Sequence, residues 1–203
     1  VLLLGHHRDD QAETVLFNLL RGAGVSGAAG MLPERSLGSK RILRPLMAMA
    51  RADIEAYAQA HGLAWIEDES NADTGFSRNF LRHEIFPLLH ARFPAASRNL
   101  ARSAAHFAEA DGLLGELAAQ DWAQCMGSAG LRMWAVRQLS LPRLKNLLRW
   151  RLIELGWRVP ASARLDEFAR QLLQAGPDRH PALDLPDGRM IVVHGELQWH
   201  PAG

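Results

Sequence analysis

The feature that most constrains the fold is an apolar run that gives way at once to a dense polar cluster. Val1–Leu4 is typical of a short buried strand, and Gly5–Thr14 follows it with two imidazoles and three carboxylates. The apolar positions that then predict a helix are Ala12, Val15, Leu16, Leu19 and Leu20. The cluster therefore lies where a strand ends and a helix begins, which is where open α/β sheets bind their ligands.

The acids of this cluster have the spacing of one helix face. Asp10 and Glu13 are three positions apart, and Asp9 and Glu13 are four apart, so either pair can lie side by side. Acids in a first helical turn also complement the helix dipole, so a capping role is the alternative. The two histidines directly in front of the acids favour a chemical role for the cluster as a whole.

Composition limits the class of protein. The chain has 203 residues, 48% hydrophobic and 22% charged, which is ordinary for a soluble protein of one large or two small domains. No apolar stretch approaches the roughly 20 residues of a membrane span, so we expect no membrane partner. A single cysteine, Cys125, excludes an internal disulfide and favours the reducing cytoplasm. The chain begins with Val1 rather than Met, which predicts a fragment of a longer protein.

Patterning along the chain predicts a helix-rich α/β fold. Residues 1–110 would be the C-terminal half of a parallel-sheet nucleotide-binding domain, and residues 111–203 a smaller α+β domain. The segments that predict helices are Arg51–His61, Pro94–Gln120, Pro142–Gly156 and Ala161–Gln174. The alternating tail, Ala182–His200 with a turn at Pro186–Gly188, predicts two or three short antiparallel strands.

A second polar cluster lies near the middle of the chain. Glu67–Asp73 is rich in Asp, Ser and Asn, which favours a loop, and Arg78 and Arg82 follow at a spacing of one helical turn. Arginines at this spacing can clamp phosphates, and carboxylates can hold Mg²⁺. Alternatively the loop is only structural, and the arginines form surface ion pairs.

Together, in this order, the clusters resemble the PP-loop (N-type) ATP pyrophosphatase superfamily and, within it, the tRNA(Ile)-lysidine synthetases. The matching stretches are His7–Thr14, Arg21–Gly24, Arg44–Leu46, Trp65–Asp73 and Arg78–Arg82. The resemblance covers residues 1 to about 110 and continues more weakly to the end. It implies an adenine nucleotide alpha hydrolase-like fold and an enzyme that uses ATP and Mg²⁺.

The reaction implied by the resemblance is a tRNA modification. ATP adenylates C2 of the wobble cytidine in a CAU-anticodon tRNA(Ile), and the ε-amine of free L-lysine then displaces AMP to form lysidine. tRNA(Ile) and lysine are therefore the expected partners. The oligomeric state stays open, with a homodimer among the alternatives.

The resemblance also implies roles by position. The predicted catalytic residues are His7, Asp9, Asp10 and Glu13, and Asp10 and Glu13 are also the predicted magnesium ligands. Arg21, Gly22 and Gly24 would line the same pocket. The remaining predicted binding residues are Glu67, Asp68, Ser70, Asn71, Arg78, Asn79 and Arg82, with the two arginines contacting phosphate of ATP or tRNA.

Two family features are missing from the chain. The phosphate-gripping Ser-Gly-Gly-x-Asp-Ser loop is expected upstream of His7, and the longer family members carry a C-terminal domain that binds the tRNA acceptor stem. We therefore expect this chain alone not to cleave ATP to AMP and pyrophosphate.

Three other readings stay open. A different PP-loop enzyme is one, although sulfur-transferring members rely on cysteine pairs and amidotransferases need a glutaminase partner. A metal-dependent phosphohydrolase would use His6, His7, Asp9 and Asp10 as ligands. A non-catalytic RNA-binding module would use the basic excess between Arg132 and Arg170, a segment that contains nine Arg or Lys but only three acids. A solvated arginine-rich helix face would look the same.

Overall fold

The protein folds as two compact units, Val1–Asp111 and Gly112–Gly203. The structure is a computed structural model that describes residues 1–66, 77–176 and 179–202. The sequence predicts a domain boundary between residues 110 and 111.

The first unit surrounds a small mixed sheet with helices. Its elements are β1 (Leu2–Leu3), α1 (Arg8–Leu20), α2 (Val25–Ala28), β2 (Glu34–Leu37), β3 (Lys40–Leu43), α3 (Arg51–Ala60), α4 (Ser77–Phe80), a π-helical turn (Leu81–Ile85), α5 (Phe86–Arg92) and the first half of α6 (Ala96–Cys125). The strand order is β1-β3-β2, with β1 parallel to β3 and β2 antiparallel to it. The predicted strand-to-helix transition is therefore present at β1 and α1.

Two burial predictions for this unit are wrong. Leu2 and Leu3 form a strand that pairs with β3, but their side chains are about half exposed. Tyr57 has the helical spacing of a core residue in α3, yet it is exposed and stacks on His61 with ring centroids 4.0 Å apart. The periodicity predicts the positions of both elements correctly but overestimates how far these side chains are buried.

Packing of α1 against the helices after residue 76 positions the polar cluster. Ala12 of α1 forms a small core with Leu81 and Phe86, and Leu16 and Leu100 pack around it. Since Ala12 lies between the acids of α1, this contact brings the α4 segment opposite those acids.

The second unit packs three helices and the end of α6 against an antiparallel sheet. Its elements are β4 (Leu131–Arg132), α7 (Met133–Val136), α8 (Leu141–Glu154), α9 (Ser162–Gln174), β5 (Ala182–Leu185), β6 (Gly188–Val193) and β7 (Glu196–Pro201), with strand order β4-β7-β6-β5. The predicted helices and antiparallel tail strands are confirmed.

The core of this unit follows the sequence pattern closely. Leu144, Leu147, Leu148 and Leu152 of α8 are fully buried, as their spacing predicts. The turn between β5 and β6 is the predicted Pro186–Asp187 pair, and the Asp187 carboxylate accepts a hydrogen bond from the backbone amide of Arg158 (2.8 Å). In the part of the chain that the structure describes, no helix is both long and apolar enough to cross a membrane.

Candidate functional site

The candidate site begins at the N-terminus of α1, where His7 caps the helix. Its backbone amide donates to Oδ2 of Asp10 (2.9 Å), and its Nδ1 accepts from the amide of Asp10 (3.3 Å). With Nδ1 accepting, the hydrogen of a neutral ring lies on Nε2, which is 3.3 Å from the same Oδ2. The reciprocal contacts form a capping box, so His7 and Asp10 hold each other in place.

Two arginines from the following helical segment neutralise the two most buried acids of α1. Arg82 donates Nε and Nη2 to the two carboxylate oxygens of Glu13 (2.7 and 2.8 Å) and Nη2 to Asp10 Oδ1 (3.1 Å). Arg78 makes longer contacts, from Nε to Glu13 Oε2 (3.1 Å) and from Nη2 to Asp10 Oδ1 (3.3 Å). Glu13 is only 4% exposed, and burial of a carboxylate costs free energy unless it is paired and hydrogen-bonded as it is here.

Asp9 differs from these acids because its charge is not taken up by a guanidinium in the described contacts. Its Oδ2 accepts from the backbone amide of Arg51 (2.9 Å), while the guanidinium of Arg51 donates to Glu55 (2.7 Å). Burial raises the pKa of Asp9, whereas hydrogen bonds from the Arg51 amide and the Ser97 hydroxyl lower it. The electrostatic effects of His7 and Arg8 also lower this pKa, and the lowering effects together are larger than the effect of burial. The pKa of Asp9 is therefore below its usual value, and the side chain is ionised at neutral pH.

Asp9 lines a small cleft, which we call the acid cleft. Its volume is about 160 Å³, and its walls are His7, Asp9, Glu13, Arg51, Arg82, Phe86, Pro87, His90 and Ser97. This is well below the roughly 300–1,000 Å³ of pockets for drug-sized ligands. A volume of this size suits a short chain of atoms with a charged end.

Two further pKa shifts describe the surroundings of the cluster. Burial lowers the pKa of His6, helped by the positive charges of Arg44 and Arg78 and opposed by Asp10, so its ring is neutral at physiological pH. The hydrogen bonds from Arg82 to Glu13 raise the pKa of the guanidinium, which stays charged. Both shifts leave the site with fixed charges and a neutral imidazole near pH 7.

The structure separates one predicted group from the acid cleft. Arg21, Gly22 and Gly24 follow the C-terminal end of α1, about 18 Å from its N-terminus at 1.5 Å per residue. There Arg21 covers the ring of Phe17, with 5.0 Å from its guanidinium carbon to the ring centroid. The prediction that these residues line the same pocket has no support from a described contact.

Part of the second predicted cluster lies outside the described residues. Glu67, Asp68, Ser70 and Asn71 belong to this part, so their roles stay predictions. Asn79 lies on α4 beside Arg78. The predicted phosphate contacts of Arg78 and Arg82 compete with the carboxylate contacts that both side chains make here.

The donor set of α1 does not suit a magnesium ion held directly by Asp10 and Glu13. Both carboxylates are bound by the guanidiniums of Arg78 and Arg82, and a cation would have to displace them. Among residues 1–66, 77–176 and 179–202, no group of three or more His, Cys, Asp or Glu side chains is placed to bind a metal. The same geometry disfavours the dinuclear phosphohydrolase reading, because His7 and Asp10 bind each other.

Several residues of the site had no signal in the sequence. Ser97 and His90 lie in the acid cleft, where His90 Nε2 is 3.0 Å from Ser97 Oγ. Gln11 anchors the loop before β2 through its amide, with contacts to Ala29 O (3.1 Å), Met31 O (3.1 Å) and Met31 N (2.8 Å). These contacts join distant stretches of chain, and local spacing does not report them.

Comparison with known proteins identifies two domains in the chain. Residues 1–89 match the PP-loop domain family, and residues 131–197 match the TilS substrate binding domain family. The chain is 56% identical to a tRNA(Ile)-lysidine synthase of Aromatoleum aromaticum, over 92% of this chain and 43% of that protein. It is 45% identical to the tRNA(Ile)-lysidine synthases of Alkalilimnicola ehrlichii and Pseudomonas putida, over 100% and 98% of this chain and 45% and 48% of those proteins. It thus spans about half the length of these curated relatives.

Proposed function

Because the chain belongs to the tRNA(Ile)-lysidine synthase family, we propose that the full-length protein containing it makes lysidine in a CAU-anticodon tRNA(Ile). The C2 oxygen of the wobble cytidine attacks the α-phosphate of ATP and releases pyrophosphate. The ε-amine of free L-lysine then attacks C2, and AMP leaves with the former C2 oxygen. Because an ammonium has no lone pair, it first loses one proton to solvent; the attacking amine loses a second proton to solvent as the new C–N bond forms.

The observation that carries this proposal is the ionised Asp9 in the acid cleft. Asp10 and Glu13 are paired with guanidiniums, whereas Asp9 forms no ion pair with a guanidinium among the described residues, although His7, Arg8 and Arg82 act on it electrostatically. Phe86 and Pro87 give the same cleft an apolar wall. An ammonium group on a chain of methylenes matches this combination of charge, apolar wall and volume.

Asp9 is suited to bind and orient the ammonium rather than to take its proton. A carboxylate with a lowered pKa is a weak base near pH 7, and efficient general bases have a pKa closer to the working pH. Asp9 therefore contributes by fixing the position of the amine, which raises the effective concentration of the nucleophile.

The remaining acids and arginines stabilise the structure around Asp9. Asp10 and Glu13 hold Arg82 against α1, and His7 holds Asp10. The Arg78 side chain is 43% exposed and its contacts are longer, so it is the arginine free to turn towards a phosphate of ATP or tRNA. We place magnesium with the phosphates of ATP, where it would neutralise the departing pyrophosphate, and not on the described carboxylates.

A reaction that consumes ATP and tRNA belongs in the cytoplasm, which is the compartment that we propose. A homodimer stays a prediction.

The test is ATP-dependent incorporation of labelled lysine by the full-length gene product. The substrate is a tRNA(Ile) transcript with a CAU anticodon, and the matched control replaces the wobble C by U. We expect incorporation into the first transcript and none into the second. ATP cleavage that depends on another tRNA or metabolite, without lysine incorporation, would contradict the proposal.

A further inference from the structure

In the second unit, Trp134 is held in an exposed position by a firmly anchored turn. It lies on α7, whose other three side chains, Met133, Ala135 and Val136, are all buried. Trp134 itself is 64% exposed. Because its neighbours fix the backbone on both sides, the indole cannot turn into the core of this unit without unpacking α7.

The sheet adds a second constraint on this position. Arg132 pairs with Glu196 in the β4–β7 register, and the amide of Met133 donates to the carbonyl oxygen of Gly195 (2.9 Å). The turn that carries Trp134 is thus attached to the sheet by backbone hydrogen bonds. A contact made by this side chain would need little further ordering, which favours affinity.

Arg132 places a positive charge against the indole. Its guanidinium carbon is 5.1 Å from the centroid of the Trp134 ring, and its Nη2 donates to the carbonyl oxygen of Gln124 (3.2 Å). The ion pairs of the described residues include none with Arg132. The pair therefore combines an exposed aromatic surface with a cation held by a cation–π contact.

We propose that Trp134 and Arg132 form a stacking site for one unpaired base of the substrate RNA, an inference that rests on the proposed function. Proteins bind unpaired nucleotides by stacking the base on an aromatic ring or a guanidinium plane while cations attract the backbone. The segment from Arg132 to Arg170 has nine Arg or Lys and three acids, and five of the nine basic residues form no ion pair among the described residues. This excess of positive charge favours RNA over an apolar protein partner.

The experiment measures the Kd of the full-length protein for a CAU tRNA transcript by filter binding. Trp134→Ala is expected to weaken binding about 5- to 100-fold, the range for loss of one stacked base, whereas Trp134→Phe keeps most of the affinity. Ile153→Ala is the matched control, since Ile153 is 55% exposed in the same unit and its loss should change Kd less than about twofold.

The salt dependence of Kd separates stacking from a general loss of structure. An uncharged ring releases no counterions, so the slope of log Kd against log salt should be the same in Trp134→Ala and the wild type. A Trp134→Ala protein that binds like Ile153→Ala would overturn the inference, as would a Trp134→Phe protein that binds as weakly as Trp134→Ala.

Acrylamide quenching tests whether Trp134 is accessible in the full-length protein. Trp134→Phe should remove a readily quenched part of the tryptophan fluorescence, and an unchanged quenching curve would mean that another segment covers the indole and would overturn the inference. Wild-type protein that binds the transcript without modifying it would contradict the proposed function alone, because the Kd ratios still decide the stacking site.

Discussion

At the scale of single residues, capping and chemistry are not alternatives in this site. His7 caps α1 and Asp9 hydrogen-bonds the first amide of α3, yet Asp9 keeps a charge that faces the acid cleft. A carboxylate that accepts backbone amides is held in one rotamer and stays ionised. These are the properties that a residue orienting a cationic substrate needs.

The lowered pKa of Asp9 predicts a pH-dependent stability. Its folded-state pKa lies below the value of about 3.9 for an unfolded aspartate, so its stabilising effect is complete above that pH and is lost as pH falls through the folded-state pKa. We expect Asp9→Asn to lower the free energy of unfolding by less than about 1 kcal/mol near pH 7, because asparagine keeps an oxygen that can accept from the Arg51 amide and only the charge is lost.

Urea unfolding of the wild type and Asp9→Asn, repeated from pH 7 down to pH 3, measures this difference. It should be constant above about pH 5 and shrink below pH 4. A difference in the free energy of unfolding that is constant over the whole pH range, or that grows in acid, would contradict a lowered pKa of Asp9.

At the scale of elements, the sequence predicts where helices and strands lie better than it predicts what covers them. Helical spacing located α1, α3, α8 and α9, and alternation located the tail strands. Burial of β1 and of Tyr57 was predicted wrongly, because the cover of a strand or a surface helix depends on segments distant in sequence. The ion pair between Glu13 and Arg82 is likewise a long-range contact, because the two residues are 69 positions apart in the sequence.

The contact between α1 and the π-helical turn predicts strong coupling between Glu13 and Arg82. Removing Arg82 leaves a buried carboxylate with only Arg78, so Arg82→Met should destabilise the protein by about 2 kcal/mol, less than a fully buried pair because Arg82 is 21% exposed. The double variant Glu13→Gln/Arg82→Met should lose at least about 1 kcal/mol less than the sum of the single variants.

The exposed pair Glu34–Arg41, with 2.6 Å between Oε1 and Nε, is the matched control for this cycle. Its coupling energy, measured by the same urea unfolding, should be much smaller than that of Glu13 and Arg82. Equal coupling energies in the two cycles would mean that burial adds nothing to the Glu13–Arg82 pair.

At the scale of the whole molecule, the structure divides the basic excess of the second unit into two groups. Four of the nine basic residues between Arg132 and Arg170 form ion pairs with described carboxylates, namely Arg143, Lys145, Arg158 and Arg170. The charges of these four side chains are largely compensated by carboxylates of the protein itself. Arg149 is not among these four residues, so its charge is available to bind RNA phosphates.

Arg149 should therefore contribute to the salt dependence of tRNA binding. In the full-length protein, Arg149→Gln is expected to reduce the slope of log Kd against log salt by about one, because one fewer counterion is released. Arg170→Gln, which removes a residue paired with Glu167 (2.9 Å), should change the slope much less. Equal slopes in both variants, measured by filter binding, would contradict this division of the charges.

If Asp9 orients the lysine ammonium in the acid cleft, the KM for lysine must depend on the charge of its side chain. The measurement compares wild-type full-length protein with Asp9→Asn and Asp53→Asn during lysine incorporation into the CAU transcript. Asp53 is the matched control because its carboxylate also accepts a backbone amide at a helix N-terminus, that of Ala50 (3.2 Å), but it lies outside the acid cleft. Loss of a charge-assisted contact of about 1.5–3 kcal/mol predicts a 10- to 100-fold higher KM for lysine in Asp9→Asn and an unchanged KM for ATP. Equal lysine KM values in the two variants would show that Asp9 is only a helix cap.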